Sequence, residues 1–357
     1  MEIKKYFQMM VEKNASDLFY RAGSKVAMRI DGEVVYIEDR ILSVDEIFQT
    51  IEELTDERQK RLLDENKNVE LTYLSDELGA RFRISIFIQR GFPSFVVRNL
   101  SQKIRSFEEL NLPGEVLRKL CLEKRGLVLL VGSAGSGKST TIASMIEYMN
   151  CNFHRHILTV EEPIEFDFKD KNCVINQREL GLDVLSYQSA LRAFTLQSPD
   201  VIYVGNIRDH DTMSAALTAA ETGVLVLSTM HTINASQTIE RMVNFFPPYQ
   251  HAEIRNQISH LLKGVISLRL IPRKDQPGRV PACEVMLLTP TISRLIREGK
   301  TDEIIHFIEE GRIFGMQSFT QSLIDLVKRD LITEEIAKEF SDSKEEFILA
   351  LKGIKKV

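Results

Sequence analysis

The stretch Leu127-Val128-Leu129-Leu130-Val131-Gly132-Ser133-Ala134-Gly135-Ser136-Gly137-Lys138-Ser139-Thr140 decides how the rest of the chain is read. Gly132 to Thr140 fit the phosphate-binding pattern G-x-x-x-x-G-K-[ST]. The apolar run before it has the length of a strand. Thr141-Ile142-Ala143-Ser144-Met145-Ile146-Glu147-Tyr148-Met149 after it reads as a helix. Strand, Gly-rich loop and helix in that order lift the match above a mere Gly-rich turn. The residue types follow from the chemistry. The glycines let the backbone curl and aim N–H groups at phosphate oxygens. The helix beginning at Gly137 adds the positive end of its dipole. Lys138 is placed to reach the β- and γ-phosphates of ATP, and the Ser139 hydroxyl to ligate Mg²⁺.

Working outward, 357 residues suggest about two domains. Apolar content of 43% and charged content of 27% are ordinary globular values. A net charge of −5 argues against nucleic-acid binding through an overall basic surface. No apolar run has the length of a membrane span, and no apolar segment follows the charged N-terminus as in a secretory signal. Cys121, Cys151, Cys173 and Cys283 are widely spaced, with no C-x-x-C; this fits a reducing cytoplasm rather than a structural zinc site. His154 and His156 alternate just ahead of a strand and read as flanking its start.

Residues 1–100 read as a small α/β domain. A helix is expected over Ile3–Lys13, strands over Ser16–Tyr20 and Val26–Ile30, and a hairpin turn at Asp31-Gly32 before Val34-Val35. One helix is expected over Val44–Glu65, opened by the capping box Ser43/Glu46. Ala80–Ile88 alternates as a half-buried strand does. Gly91-Phe92-Pro93 reads as a turn and Phe95–Arg98 as a strand. Residues 101–115, punctuated by Ser101, Ser106, Pro113 and Gly114, read as a linker.

Residues 116–289 alternate strands and helices, which implies a parallel sheet. The expected strands are Gly126–Val131, His156–Glu161, Val201–Val204 and Val224–Met230, apolar throughout as buried parallel strands are. The expected helices are Gly137–Met149, Tyr187–Leu196, Asp211–Thr222 and Ala235–Phe245. Val265–Ile271 and Cys283–Leu288 read as a strand pair. Residues 290–357 read as helical, ending in a solvated basic tail of Lys352, Lys355 and Lys356.

Two further stretches leave the carboxyl ends of strands, where ligands bind in such sheets. They are Glu161-Glu162-Pro163-Ile164-Glu165-Phe166 and Gly205-Asn206-Ile207-Arg208-Asp209. Met230-His231-Thr232 ends a third strand. Together with the loop and with Ser16-Asp17-Leu18, these motifs make the chain resemble the secretion ATPases, and within them the type IV pilus retraction ATPases of the PilT/PilU family. Ile175 to Asp183, Asn244 to Pro247 and Gly315 to Phe319 look closer to the PilU side.

The resemblance implies a small PAS-like α/β domain followed by a RecA-like P-loop ATPase domain and a helical C-terminal region. It implies a cytoplasmic, Mg²⁺-dependent, ATP-hydrolysing motor. That motor would form a homo-oligomeric ring, a hexamer, that drives pilus retraction and twitching motility. It would dock on an inner-membrane platform protein and carry no transmembrane segment of its own. It implies roles for single positions as well. Glu165 would polarise the attacking water, Glu161 and Glu162 would belong to the acidic box, and His231 would sense the γ-phosphate. Arg83 and Arg98 would stabilise phosphate charge. Read without the family, those arginines are ordinary solvated strand charges, Glu165 an exposed acid and His231 a core histidine.

The departures from the family pattern bear on activity. Asn206 stands where the family carries a glutamate that helps to hold Mg²⁺ through water. An amide oxygen still accepts from a metal-bound water but brings no charge. Leu196 replaces an arginine, Val224 a histidine, and Glu162 an aspartate. Read as three polar losses near one site, Asn206, Leu196 and Val224 imply weakened hydrolysis with nucleotide binding retained. Two functions therefore stand side by side: an ATP-driven retraction motor, and a nucleotide-binding accessory subunit that supports an active paralogue. An extension or secretion ATPase ranks lower, because those relatives tend to carry a four-cysteine zinc element. A DNA-handling ATPase ranks lower still.

Overall fold

A computed structural model of the chain describes residues 2–30, 32–75, 77–100 and 104–354. Asp31 of the expected hairpin, Ser101 of the expected linker, and Lys355 and Lys356 of the tail lie outside the described residues. The chain divides into two compact units: Met1–Lys103 with Glu165–Asp167, and Ile104–Ile164 with Phe168–Val357.

The first unit contains α1 (Ile3–Glu12), β1 (Asp17–Arg21), β2 (Lys25–Ile30), β3 (Glu33–Ile41), α2 (Val44–Leu54), α3 (Glu57–Asn66), β4 (Asn68–Ser75), β5 (Ala80–Gln89) and β6 (Phe92–Leu100). Its sheet runs β3-β2-β1-β6-β5-β4, with antiparallel neighbours. Alternation splits each strand between two faces. Leu18, Met28, Val97, Ile84 and Leu71 lie in one cross-strand row and are buried. The neighbouring row carries Arg29, Asp17, Arg98, Arg83 and Thr72 on the other face. Phe7 stacks on Phe82 beneath the apolar row, with ring centroids 4.5 Å apart.

Two local expectations change. The helix expected over Val44–Glu65 is two helices. Thr55 is extended, and Asp56 starts a new helix through a capping box with Gln59. The turn expected at Gly91-Phe92-Pro93 lies one residue earlier. Arg90 and Gly91, at φ 50° and 83°, make a tight two-residue hairpin, and Phe92 already pairs with Gln89. The Ser43/Glu46 capping box forms as read.

The second unit contains α4 (Gly114–Leu122), β7 (Gly126–Val131), α5 (Lys138–Asn152), β8 (His156–Glu161), β9 (Val174–Glu179), α6 (Tyr187–Phe194), β10 (Val201–Val204), α7 (His210–Glu221), β11 (Leu225–Met230), α8 (Ala235–Asn244), α9 (His251–Leu261), β12 (Leu262–Pro272) and β13 (Arg279–Leu287). Then follow α10 (Pro290–Glu298), α11 (Ile304–Glu310), α12 (Phe319–Lys328), α13 (Glu334–Phe340) and α14 (Lys344–Leu351). The sheet runs β13-β12-β7-β11-β10-β8-β9. All neighbours are parallel except β12 with β13.

The unbroken apolar reading of β7 has a direct cause. Leu127, Leu129 and Val131 enter one core and Val128 and Leu130 the other, so both faces of the strand are covered. Burying each such side chain is worth about 1.5–3 kcal/mol. β9 escaped the sequence reading because it is an edge strand whose polar side chains hide the pattern; of its residues only Ile175 is buried. Likewise α4 begins at Gly114, inside the stretch read as linker.

Candidate nucleotide-binding site

β7 ends at Val131, and the chain turns through Gly132 at φ 145°, Gly135 at φ 72° and Gly137 at φ 96° into α5. Gly132 is the tightest point. A Cβ there would lie 2.5 Å from the Leu268 carbonyl oxygen on β12. α7 and α8 are capped by the side chains of Asp209 and Asn234, but Gly137 offers α5 no such acceptor. The first N–H groups of α5 thus keep their capacity for an anion. Lys138 is buried, and its ammonium donates to the carbonyls of Gly132 and Ser133, each at 2.8 Å. Ser133, Ala134 and Gly135 are exposed at the turn, and Ser136 is buried beneath it. Ser139 and Thr140 stand half-buried in the first turn of α5.

Strand order brings other candidates to the same edge. Parallel pairing aligns the ends of β7, β11, β10 and β8. Glu161 ends β8 and is buried. Its carboxylate accepts from the Thr159 hydroxyl at 2.7 Å and from Gln177 Nε2 at 3.0 Å. Glu162 is exposed and ion-paired with Arg208. Gly205 and Asn206 leave β10, tied down by the Gly205 N–H on the Val160 carbonyl (2.8 Å) and by the Thr229 hydroxyl on the Gly205 carbonyl (2.7 Å). The Asn206 side-chain oxygen is buried with no hydrogen-bond partner among the described residues.

His231 follows β11. Desolvation pulls its imidazole below the ordinary range, and the nearby Lys138 charge acts in the same direction, opposed by the Gly132 carbonyl. The exposed imidazole is therefore near the loop, and the core-histidine reading does not describe it.

The remaining sequence candidates belong to the first unit. Glu165 is half-buried there. Arg83 donates to Glu70 and Arg98 to Asp17. Two of the departures lie away from the loop. Val224 precedes β11, and its carbonyl accepts from the Gly126 N–H at the start of β7. Leu196, 88% exposed, precedes β10. In parallel strands the amino ends share the opposite edge from the carboxyl ends. Leu196 and Val224 therefore do not join Asn206 in one weakened site within this unit.

The residues suit Mg²⁺ with nucleotide. The ion takes hard oxygen ligands and keeps most of its waters. Ser139 offers a hydroxyl, and the partnerless Asn206 oxygen offers an acceptor for a bound water. Missed in the sequence were Thr159 and Gln177, which hold Glu161, and Arg208, which holds Glu162. Thr159 was visible in principle, two residues from Glu161 on the same strand face.

The type II/IV secretion system protein family matches residues 1–354. The chain belongs to this family. It is 40% identical to the type IV pilus ATPase PilU of Pseudomonas aeruginosa over 352 residues, spanning 99% of this chain and 92% of that protein. It is 39% identical to the type IV pilus retraction ATPase PilT of the same organism over 347 residues, 97% of this chain and 100% of that protein. The crystal structure of the pilus retraction motor PilT with bound ADP is 41% identical, with a TM-score of 0.89 over 96% of this chain and 98% of that one. The mixed α/β architecture is thus that of the secretion ATPases. Among the described residues no helix is long and apolar enough to cross a membrane.

Proposed function

We propose that the chain is an ATP-hydrolysing motor of the type IV pilus machinery. It acts as a hexameric ring on the cytoplasmic face of an inner-membrane platform protein and drives retraction. The observation that carries this is the start of α5, where glycine instead of a capping side chain leaves backbone donors for a phosphate beside the Lys138 ammonium. Lys138 exchanges its loop carbonyls for β- and γ-phosphate oxygens. Ser139, by its hydroxyl, and Asn206, by its side-chain oxygen, would help to hold Mg²⁺, which would supply positive charge to the phosphates. Glu161 stays fixed by Thr159 and Gln177. His231, neutral by its lowered pKa, presents an uncharged imidazole to the γ-phosphate. Glu165 positions the attacking water, and Arg83 and Arg98 supply positive charge to the phosphates.

Asn206 supports a second reading, an accessory subunit with little hydrolysis that assists an active paralogue. Steady-state turnover at saturating Mg-ATP separates the two. A wild-type rate above that of Lys138→Ala, raised further by Asn206→Glu, is expected for a motor with a weakened metal site. A wild-type rate equal to Lys138→Ala leaves the accessory reading standing. No gain from Asn206→Glu means that the missing carboxylate does not limit the site.

A further inference from the structure

The chain from the end of β8 toward β9 carries Glu161, Glu162 and Glu165, and side chains of β9 hold it at several points. The parallel register pairs Thr159 with Gln177 and Glu161 with Glu179. Strand alternation therefore puts all four on one face of the sheet. Gln177 bridges the two roots of the segment. Its Nε2 donates to the Glu161 carboxylate at 3.0 Å, and its Oε1 accepts from the Phe168 N–H at 2.9 Å. Glu179 takes the middle, where its carboxylate accepts from the Ile164 N–H at 3.2 Å. Glu161, Ile164 and Phe168 are thus tied to one strand, and Glu165, Phe166 and Asp167 are the residues between the last two ties. Fixing the backbone on both sides of a short stretch removes most of its alternative paths, so the entropy of placing Glu165 is lost on folding and not at the moment of reaction. β9 gives up the apolar pattern of a sheet strand to supply these partners: Gln177 and Glu179 stand half-buried in it.

We propose that Gln177 and Glu179 are positioning residues for hydrolysis: they fix the backbone on either side of Glu165, so that its carboxylate is presented to the attacking water in one place. The inference rests on the reading of Glu165 given above. It assigns the support of that carboxylate to a strand outside the acidic box.

The test is steady-state turnover of Mg-ATP by the full chain, together with its affinity for N-methylanthraniloyl-ADP. Wild type is compared with Lys138→Ala, Glu165→Gln, Gln177→Leu, Glu179→Ala, Glu179→Gln and the double variant Glu165→Gln/Gln177→Leu. Gln177→Leu removes both hydrogen bonds and is expected to lower kcat about tenfold while ADP affinity stays within about twofold. Glu179→Gln keeps an acceptor for the Ile164 N–H and should recover most of the rate that Glu179→Ala loses. On the Glu165→Gln background Gln177→Leu should cost nothing further, because it acts through Glu165 alone. An unchanged kcat in both Gln177→Leu and Glu179→Ala overturns the inference and leaves the reading of Glu165 standing. So does a loss of ADP affinity equal to the loss of kcat, which marks a merely structural role, and so does an additive loss in the double variant. A wild-type rate retained by Glu165→Gln, or a wild-type chain no faster than Lys138→Ala, overturns the reading of Glu165 itself, and the inference with it.

Discussion

Arg98 on β6 stands directly opposite Arg83 on β5, and each is held by an acid from its outer neighbour. Arg98 Nε donates to Asp17 at 3.1 Å, and Arg83 Nε to Glu70 at 3.2 Å. Like charges placed opposite each other destabilise a sheet, and these carboxylates offset that repulsion. Asp17 also lies 3.3 Å from Arg29, so one buried acid neutralises two arginines in the row.

Asp17→Asn should therefore destabilise the first unit, by about 1 kcal/mol because both arginine partners are partly solvated. Urea unfolding of the full chain at low and high salt checks this. The loss should be larger in low salt, where repulsion among Arg29, Arg98 and Arg83 is less screened.

Gly132→Ala meets two obstacles at once. The backbone sits at φ 145°, and the new methyl would fall 2.5 Å from the Leu268 carbonyl oxygen. A cost of about 1–3 kcal/mol is expected from the strained backbone alone. Nucleotide binding, read by fluorescence titration, should be lost with it, because the loop cannot keep its curl over Lys138.

His231 should make stability depend on pH. Its folded pKa lies below the unfolded value of about 6.5. Between the two values the unfolded chain binds more protons than the folded one, so stability falls as pH drops below about 6.5. Above that value the group contributes nothing. His231→Gln should flatten this part of a stability profile measured by chemical denaturation. A wild-type slope identical to that of the variant would show that His231 is not the group responsible.

Glu284 on β13 has the opposite sign. Burial pushes its carboxyl up, while the Ala235 N–H at the start of α8 (2.7 Å) and the Ser267 hydroxyl (3.1 Å) pull it down. The raised folded value means that its contribution is complete below the ordinary glutamate value of about 4.3 and is lost as pH rises through the folded value. Glu284→Gln keeps an acceptor for Ala235 and removes this slope. Glu284→Ala leaves a buried N–H without a partner and should cost about 1–3 kcal/mol. Denaturation of both variants at several pH values separates the charge from the hydrogen bond.

What the sequence determined by itself is local. The capping box at Ser43 and Glu46 spans a single helical turn, so its residue types suffice. The glycine spacing from Gly132 to Gly137 sets a backbone path that other residues resist, and the apolar run into it can only be a covered strand. Even so, a local reading missed the helix break at Asp56, because the apolar pattern runs across it and only the cap with Gln59 marks the restart. Strand order and direction belong to the tertiary structure. They align Glu161, Asn206 and His231 with the loop, and they send Leu196 and Val224 to the opposite edge although the sequence grouped them with Asn206. The meeting of Tyr187 with Gly205, and of Glu284 with Ala235 across 49 residues of chain, has no trace in spacing or composition. Such contacts arise because the sheet brings distant segments within hydrogen-bond range, and only packing selects which polar atoms are left facing one another.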